Sequence, residues 1–248
     1  MAYIIDRDVC IGCGLCEKIC MAGAVRYDDE PRRTTLDVGA VILATGNELF
    51  DPSGIIPYGY TQSPNVITSM EFERILSAGG PYAGNLMRPY DREVPKKIAW
   101  LQCVGSRDLN ACDNGYCSSV CCMYANKQAV IAKEHSDTEL DTAIFFMDLR
   151  TFGKSFERYG KQIGATEGVR LERGRVHSIA PTLGSDDVAI RWTTATGGIR
   201  EAVFDLVVLS VGQRPNAQTA LLAEKLDIDT DGYGFLRTVP FSDTRTAR

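Results

Sequence analysis

Residues 97–108 read KIAWLQCVGSRD, in which an apolar run of strand length leads directly into a cysteine-containing turn, and this is the most informative segment for predicting the fold. A helix is predicted over residues 118–134, and further strands are predicted over 143–147, 169–179, 187–193 and 201–210. Thr196-Gly197-Gly198 suits a hairpin turn between the last two strands. Strands that alternate with helices, with one antiparallel insertion, predict an α/β domain.

Two further elements are predicted upstream of this stretch. Residues 36–44 read LDVGAVILA, a nearly continuous apolar run whose length and β-branching favour a strand buried on both faces. A short helix is predicted over residues 68–78, with Ser69 as its N-terminal cap and Gly79 as its stop.

The chain has nine cysteines, which fall in two blocks, and the first block is Cys10, Cys13, Cys16 and Cys20. Its C-x2-C-x2-C-x3-C spacing is the ferredoxin pattern for a [4Fe-4S] cluster, whereas zinc prefers paired C-x2-C units far apart. The first three thiolates surround one cluster on a tight glycine-containing loop. Cys20 either completes that cluster or serves a second one belonging to another polypeptide.

The second block is Cys103, Cys112, Cys117, Cys121 and Cys122. Cys117 and Cys121 share a helix face, and Cys122 is rotated from them by about 100°, yet adjacent ligands in a first helical turn can reach one cluster. Five cysteines within twenty residues favour a second metal cluster over buried structural thiols. Cys112, in a polar loop, is the expected spare.

Two signals point to a nucleotide or flavin. The run 36–44 ends in Ala44-Thr45-Gly46, and a later strand ends at Gly212. The pair resembles the strand ends that close the dinucleotide domains of flavin-dependent disulfide reductases. No G-x-G-x-x-G turn opens a helix anywhere in the sequence.

Lys127 is the candidate catalytic residue, because it is predicted on the otherwise apolar side of the 118–134 helix. Such a lysine either extends its ammonium to water along an apolar stem or stabilises an anionic reduced flavin.

Composition excludes several classes of protein. The net charge is −5 and no basic run is long enough to indicate nucleic-acid binding. No stretch approaches the roughly 18 apolar residues of a membrane-spanning helix, and the N-terminus lacks a signal-peptide core. The odd cysteine count argues against a disulfide framework and predicts a cytoplasmic protein.

Together these segments resemble the A-type subunits of heterodisulfide reductase and their relatives. The resemblance runs over essentially the whole chain and is carried by Lys127 and by residues 10–20, 38–46, 58–60, 64–67, 102–108, 116–124, 147–150 and 153–154. It implies an α/β thioredoxin-reductase-like flavoprotein domain preceded by a ferredoxin-like 4Fe-4S segment. The expected divisions are residues 1–33 and 34–248, with about 95–215 as the part that resembles an NAD domain.

The resemblance also implies a function. The chain is expected to be an oxidoreductase subunit that moves electrons between [4Fe-4S] clusters, FAD and partner subunits, namely heterodisulfide-reductase-like B and C subunits and hydrogenase- or ferredoxin-type donors. The main alternative is an iron-sulfur relay or assembly module without its own flavin, and a zinc-stabilised structural protein is a third, weaker option.

The site residues follow from the same resemblance. Cys103, Cys117, Cys121 and Cys122 are implied to hold an additional [4Fe-4S] cluster, and Lys127 matches a family lysine close to the flavin ring. The chain begins after the glycine-rich FAD-binding unit of the family and ends before its last FAD-contacting segment, so we expect a fragment or half of a split subunit. Its FAD site, with Ala44, Thr45, Gly46 and Gly212, is expected to be shared or incomplete.

Overall fold

The computed structural model describes residues 5–27, 30, 32–164, 168–242 and 244–247. The chain forms two compact units, Met1–Ala44 and Thr45–Arg248. The finer division at residues 33/34 and the NAD-domain-like part at about 95–215 stay predictions.

The first unit has little regular structure. Helix α1, Leu15–Ile19, follows Gly14, which adopts the left-handed conformation, and none of the described residues 5–44 is buried. The predicted strand at 36–44 is wrong: these residues form no strand, and Ile42 is 92% exposed. A strand buried on both faces needs neighbours on either side, and no described residue pairs with this run.

The second unit is built around a sheet. Its strands are β1 (Asn47–Leu49), β2 (Val66–Thr68), β3 (Lys97–Val104), β4 (Asp141–Phe146), β5 (Val169–Pro181), β6 (Val188–Thr194), β7 (Ile199–Phe204), β8 (Leu206–Val211) and β9 (Gln213–Pro215). Its helices are α2 (Ser69–Leu76), α3 (Cys121–Glu134), α4 (Phe156–Ile163) and α5 (Ala217–Leu226), with 3-10 turns at Pro52–Gly54 and Ile56–Tyr58.

The main sheet has seven strands in the order β2-β8-β3-β4-β5-β6-β7. The pairs from β2 to β5 are parallel, and β6 and β7 extend the sheet antiparallel through the predicted turn after Thr194. A separate antiparallel ribbon joins β1 to β9. The α/β prediction with one antiparallel insertion is therefore confirmed.

The predicted strand 201–210 is two strands with different roles. Asp205 separates them, and its carboxylate accepts hydrogen bonds from the backbone N–H groups of Lys96 and Lys97 at 2.6 and 3.1 Å. Strand β7 lies at the sheet edge, whereas β8 lies inside the sheet, between β2 and β3, and every one of its residues is buried. A continuous apolar pattern cannot reveal such a break because both pieces favour extended backbone.

Both faces of the parallel strands are covered. Along β3, Ile98 and Trp100 pack on one side with Phe72 of α2 and alanines of α3, whereas Ala99 and Leu101 pack on the other with residues of β5 and β6. Strands buried on both faces are the reason that this part of the sequence is continuously apolar.

Two predicted helices begin at different residues from those expected. The cap of α2 is Thr68, not Ser69: Thr68 and Glu71 form a reciprocal capping box. Helix α3 begins at Cys121, not at residue 118, because Ser119 has a φ of 62° that no right-handed helix contains. None of the described helices is long and apolar enough to cross a membrane.

Candidate functional site

The first cysteine block lies on a loop and the adjoining short helix α1 of the first unit. Cys10 and Cys13 are exposed, and the Cys16 sulfur shares a 2.9 Å hydrogen bond with the hydroxyl of Tyr27. That hydrogen bond raises the pKa of Tyr27 to about 12. The Ala24 N–H donates to the Cys20 sulfur at 3.4 Å and is the main cause of a lowered Cys20 pKa. A thiol that ionises readily is suited to binding iron.

The second block is assembled from a strand end, a loop and a helix start. The pairing of β3 with β8 changes register between Leu101 and Val104, and Cys103 in this irregularity has a φ of 64°. Such bulges turn side chains toward neighbouring sites. The loop then carries Cys117, and α3 begins with Cys121 and Cys122.

These four cysteines line one small pocket, which they share with Ser106, Arg107, Ser119, Val120 and Arg150. Cys112 lies elsewhere: its thiol donates to the Asp108 carbonyl at 3.2 Å and packs against the core. The structure thus brings together the four thiols expected to act as ligands and separates the fifth.

Burial favours the neutral form of these thiols. It raises the pKa of Cys103 to about 11, against the opposing effect of the Arg107 guanidinium, and it also raises the pKa values of Cys121 and Cys122. Over the described residues, no three His, Cys, Asp or Glu side chains form a ready-made metal site. The donor set suits iron-sulfur chemistry, and binding a metal here would release protons from the thiols.

An arginine–aspartate cluster borders the pocket and was missed by sequence reasoning. The Asp148 carboxylate forms ion pairs with Arg107 and with Arg150. Burial acts to raise the pKa of Asp148, but hydrogen bonds from the two guanidinium groups outweigh it and hold that pKa below its ordinary value. The sequence signal was the family match of residues 102–108 and 147–150, which contain these three side chains.

A buried amide on α3 was also missed. Asn126 is fully buried, and among the described residues neither its side-chain nitrogen nor its oxygen has a hydrogen-bond partner. It follows Cys122 by four residues and therefore shares its helix face.

The prediction that Lys127 lies on the apolar side of α3 is wrong. It is exposed, between the buried residues Asn126 and Gln128, and its ammonium lies 5.6 Å from the centroid of the Phe156 ring. The buried side of α3 carries alanine and amide side chains instead of large apolar ones, so the hydrophobic pattern of the sequence did not show which side of the helix is buried.

The two predicted strand ends lie at opposite ends of the β1–β9 ribbon, in which Asn47 pairs with Pro215 and Leu49 with Gln213. The Thr45 carbonyl accepts a 2.6 Å hydrogen bond from the Asn216 side chain, and Gly46 directly precedes β1. Gly212 donates to Val104 at 2.7 Å and accepts from Phe50 at 2.9 Å. Ala44 is the last residue of the first unit.

This ribbon adjoins the second cysteine block. Ser118, next to Cys117, accepts a 2.9 Å hydrogen bond from the Gln213 N–H, and the Tyr124 hydroxyl donates to the Val211 carbonyl at 2.7 Å. The block also occupies the β3–α3 connection, the position at which dinucleotide-binding α/β proteins carry their glycine-rich turn.

Similarity to known proteins indicates what kind of protein this chain is. Residues 3–26 match the family model of the 4Fe-4S binding domain, so the chain combines a ferredoxin-type iron-sulfur segment with an α/β domain. Solved structures with a similar fold include the thioredoxin reductase of T. acidophilum (14% identity, TM-score 0.44, covering 82% of this chain and 52% of that one). Another is the L-lysine 6-monooxygenase of Pseudomonas syringae (12% identity, TM-score 0.46, covering 83% and 53%).

The chain is 40% identical over 239 residues to the A-type subunit of the H(2):CoB-CoM heterodisulfide,ferredoxin reductase of Methanothermobacter thermautotrophicus, covering 94% of this chain and 35% of that protein. It is 40% identical over 238 residues to the A-type iron-sulfur subunit of the CoB--CoM heterodisulfide reductase of Methanocaldococcus jannaschii, covering 96% and 36%. The resemblance is confirmed: over nearly its whole length the chain is homologous to the A-type subunits of heterodisulfide reductase, and it spans about a third of their length.

Proposed function

We propose that this chain transfers electrons as part of a heterodisulfide-reductase-like oxidoreductase, between [4Fe-4S] clusters, FAD and partner subunits. One observation carries the proposal: four cysteines from a strand end, a loop and a helix start line one pocket, while Cys112 lies apart. Structural cysteines have no reason to converge in this selective way.

The two blocks would hold separate clusters. Cys10, Cys13 and Cys16 would bind one cluster through a local loop, with Cys20 as its fourth ligand or as a ligand to a cluster of another chain. Cys103, Cys117, Cys121 and Cys122 would bind the other. The domain division at residues 33/34 follows the same separation.

The flavin site would be shared with another polypeptide segment, because this sequence contains no G-x-G-x-x-G turn. Ala44, Thr45, Gly46 and Gly212 would contribute its edge, since Thr45 and Gly212 flank the β1–β9 ribbon, which adjoins the second cysteine block. FAD, when bound, would accept electron pairs and pass on single electrons. Lys127 would supply a cation at the reduced flavin.

The names of the relatives guide the choice of partners. Those names include hydrogen, ferredoxin and the CoB-CoM heterodisulfide. We propose B- and C-type subunits of such complexes as partners, with hydrogenase- or ferredoxin-type electron donors. Nine free thiols suit the reducing cytoplasm.

Iron and sulfide analysis after anaerobic reconstitution tests the two-cluster proposal. Two cubanes predict about eight irons per chain, and Cys121→Ser should remove about four of them. Cys112→Ser is the matched control and should keep all of them. A wild-type content of about four irons or fewer, or an unchanged content in Cys121→Ser, would contradict the second site.

Lys127→Ala in the assembled complex separates the flavoprotein from a simple relay. A lysine beside the flavin predicts a lower rate of flavin reduction, with Lys161→Ala on α4 as an exposed-lysine control. Equal rates in all three proteins would favour a relay without its own flavin.

A further inference from the structure

We propose that Arg107 and Arg150, held in place by Asp148, form a fixed pair of cations that raises the reduction potential of the cluster at the second cysteine block. The inference rests on the proposed function, because it concerns the cluster assigned there. It gives Asp148 the role of a positioning residue rather than a ligand-binding one.

The geometry is the first argument. Arg107 comes from the turn after β3, whereas Asp148 and Arg150 follow β4. One oxygen of Asp148 accepts from Nη1 of Arg107, and the other accepts from Nε of Arg150 at 3.1 Å. A single carboxylate therefore ties two guanidinium groups from separate connections to one place.

That place is the cysteine pocket. Arg107 and Arg150 line the pocket together with all four cysteines of the proposed ligand set. The backbone N–H of Arg150 also donates to the Cys122 sulfur at 3.3 Å. Both charge and a hydrogen bond are thus directed at the sulfur ligands, and these are the main protein-controlled determinants of cluster potential.

Burial makes the cations effective. The side chain of Arg107 is 20% exposed and that of Arg150 is 39% exposed, so water screens them less than free surface arginines. Two guanidinium groups and one carboxylate leave a net positive charge. A reduced cluster carries one more negative charge than an oxidised one, so this positive charge stabilises the reduced state more.

The backbone is also constrained at this site. Arg107 has a φ of 57°, and its N–H donates to the Tyr116 carbonyl at 2.9 Å. Left-handed backbone at a non-glycine residue is unfavourable and persists where the surroundings hold it, often at functional sites. The orientation of Arg107 is thus set by both its backbone and its ion pair.

The competing explanation assigns Asp148 a different electrostatic effect. Its carboxylate would act only as a nearby negative charge, and the arginines would merely neutralise it. The two explanations predict opposite signs for Asp148→Leu. Loss of a negative charge alone raises the potential, whereas release of the two arginines into solvent lowers it.

The experiment is an EPR-monitored redox titration of the reconstituted full chain, with dithionite as the reductant. The signals of the two clusters are assigned with Cys13→Ser and Cys121→Ser. Arg107→Gln and Arg150→Gln should each lower the potential of the second cluster by about 59 mV, a roughly tenfold change in the reduced-to-oxidised ratio for one electron. Asp148→Leu should also lower it, and Arg107→Lys should stay near wild type.

Arg170→Gln is the matched control. Arg170 pairs with Asp141 at the opposite end of β4, at 2.9 and 3.0 Å. The six-residue strand places that pair about 20 Å from Asp148, beyond the Debye length at physiological salt. This variant should leave both cluster potentials unchanged.

The outcomes separate the inference from the proposed function. If the wild-type chain shows no second cluster signal, the proposed function fails. A wild-type signal with an unchanged potential in both arginine variants, or a raised potential in Asp148→Leu, overturns the inference alone. If Arg107→Gln binds no iron, the other two arginine variants test the inference. The potential of the second cluster should then fall in Arg150→Gln and stay near the wild-type value in Arg107→Lys, and an unchanged potential in Arg150→Gln overturns the inference.

Discussion

The two cysteine blocks are positioned by the chain in different ways. In the first unit, Cys10, Cys13, Cys16 and Cys20 lie on a loop and one short helix, and none of the described residues 5–44 is buried. In the second unit, Cys103 lies near the end of the buried strand β3, and Cys121 begins α3, which packs on the same sheet. The first block depends on local spacing, whereas the second depends on a folded scaffold.

This difference indicates where the stability of each site originates. A segment without buried residues has little hydrophobic energy of its own, so metal binding must supply its folding energy. The second block lies on a sheet whose two faces are both covered by buried apolar side chains. Iron removal should therefore affect the two regions unequally.

Chelation of iron from the reconstituted chain should give the largest difference. Amides of α1 should lose hydrogen-exchange protection completely, whereas those of β3 and β8 should keep theirs, because β8 is buried throughout. Hydrogen exchange with mass spectrometry measures both. Retained protection of α1 without iron would show that the first unit folds independently.

Alanine substitution of one glycine in each region makes the comparison quantitative. A Cβ at Gly105 would lie 2.0 Å from the Phe50 ring and would sit at a φ of 75°. We expect Gly105→Ala to lower the free energy of unfolding of the second unit by about 2–4 kcal/mol through overpacking and backbone strain.

Gly12→Ala is the counterpart, because Gly12 has a φ of 66° with nothing within 4 Å. It should impose only the backbone penalty of about 1 kcal/mol, seen as weaker iron binding by the first block. Urea unfolding and iron competition measure the two effects. Equal effects would mean that both loops are similarly packed.

Alkaline pH should weaken the metal-free second unit through Cys103. Burial raises its pKa from the ordinary 9.0 to about 11, so the folded chain retains this proton over a range in which the unfolded chain loses it. Stability from this thiol is fully present below pH 9 and declines as pH rises to about 11, by about 2 kcal/mol.

Urea unfolding of the metal-free chain between pH 8 and 11 tests this expectation. Cys103→Ser should make the decline shallower, with a remainder from Cys121 and Cys122, whose pKa values are also raised by burial. Cys13→Ser, which replaces an exposed thiol of the first block, should not change the decline. The same slope in wild type and Cys103→Ser would contradict the assigned cause.

Much of the architecture could be predicted from local pattern. The strand that begins at Lys97 and the hairpin near Gly197 could be predicted, because an apolar run and a pair of turn-forming glycines are local signals in the sequence. The prediction of a strand at residues 36–44 was wrong, because an apolar pattern shows that a segment could be buried in a sheet but does not supply the neighbouring strands. The break at Asp205 was missed because it is made by hydrogen bonds to distant backbone groups.

The spacing of the cysteines was enough to predict the first site, since all four lie between residues 10 and 20 and local backbone geometry controls their approach. In the second block, the bulge in β3 and the start of α3 decide which cysteines converge. They also leave Cys112 outside the group. The Arg107–Asp148 contact joins residues 41 positions apart and depends on the parallel pairing of β3 with β4. Such a contact has no local sequence signal, because only sheet pairing brings the two strand ends together.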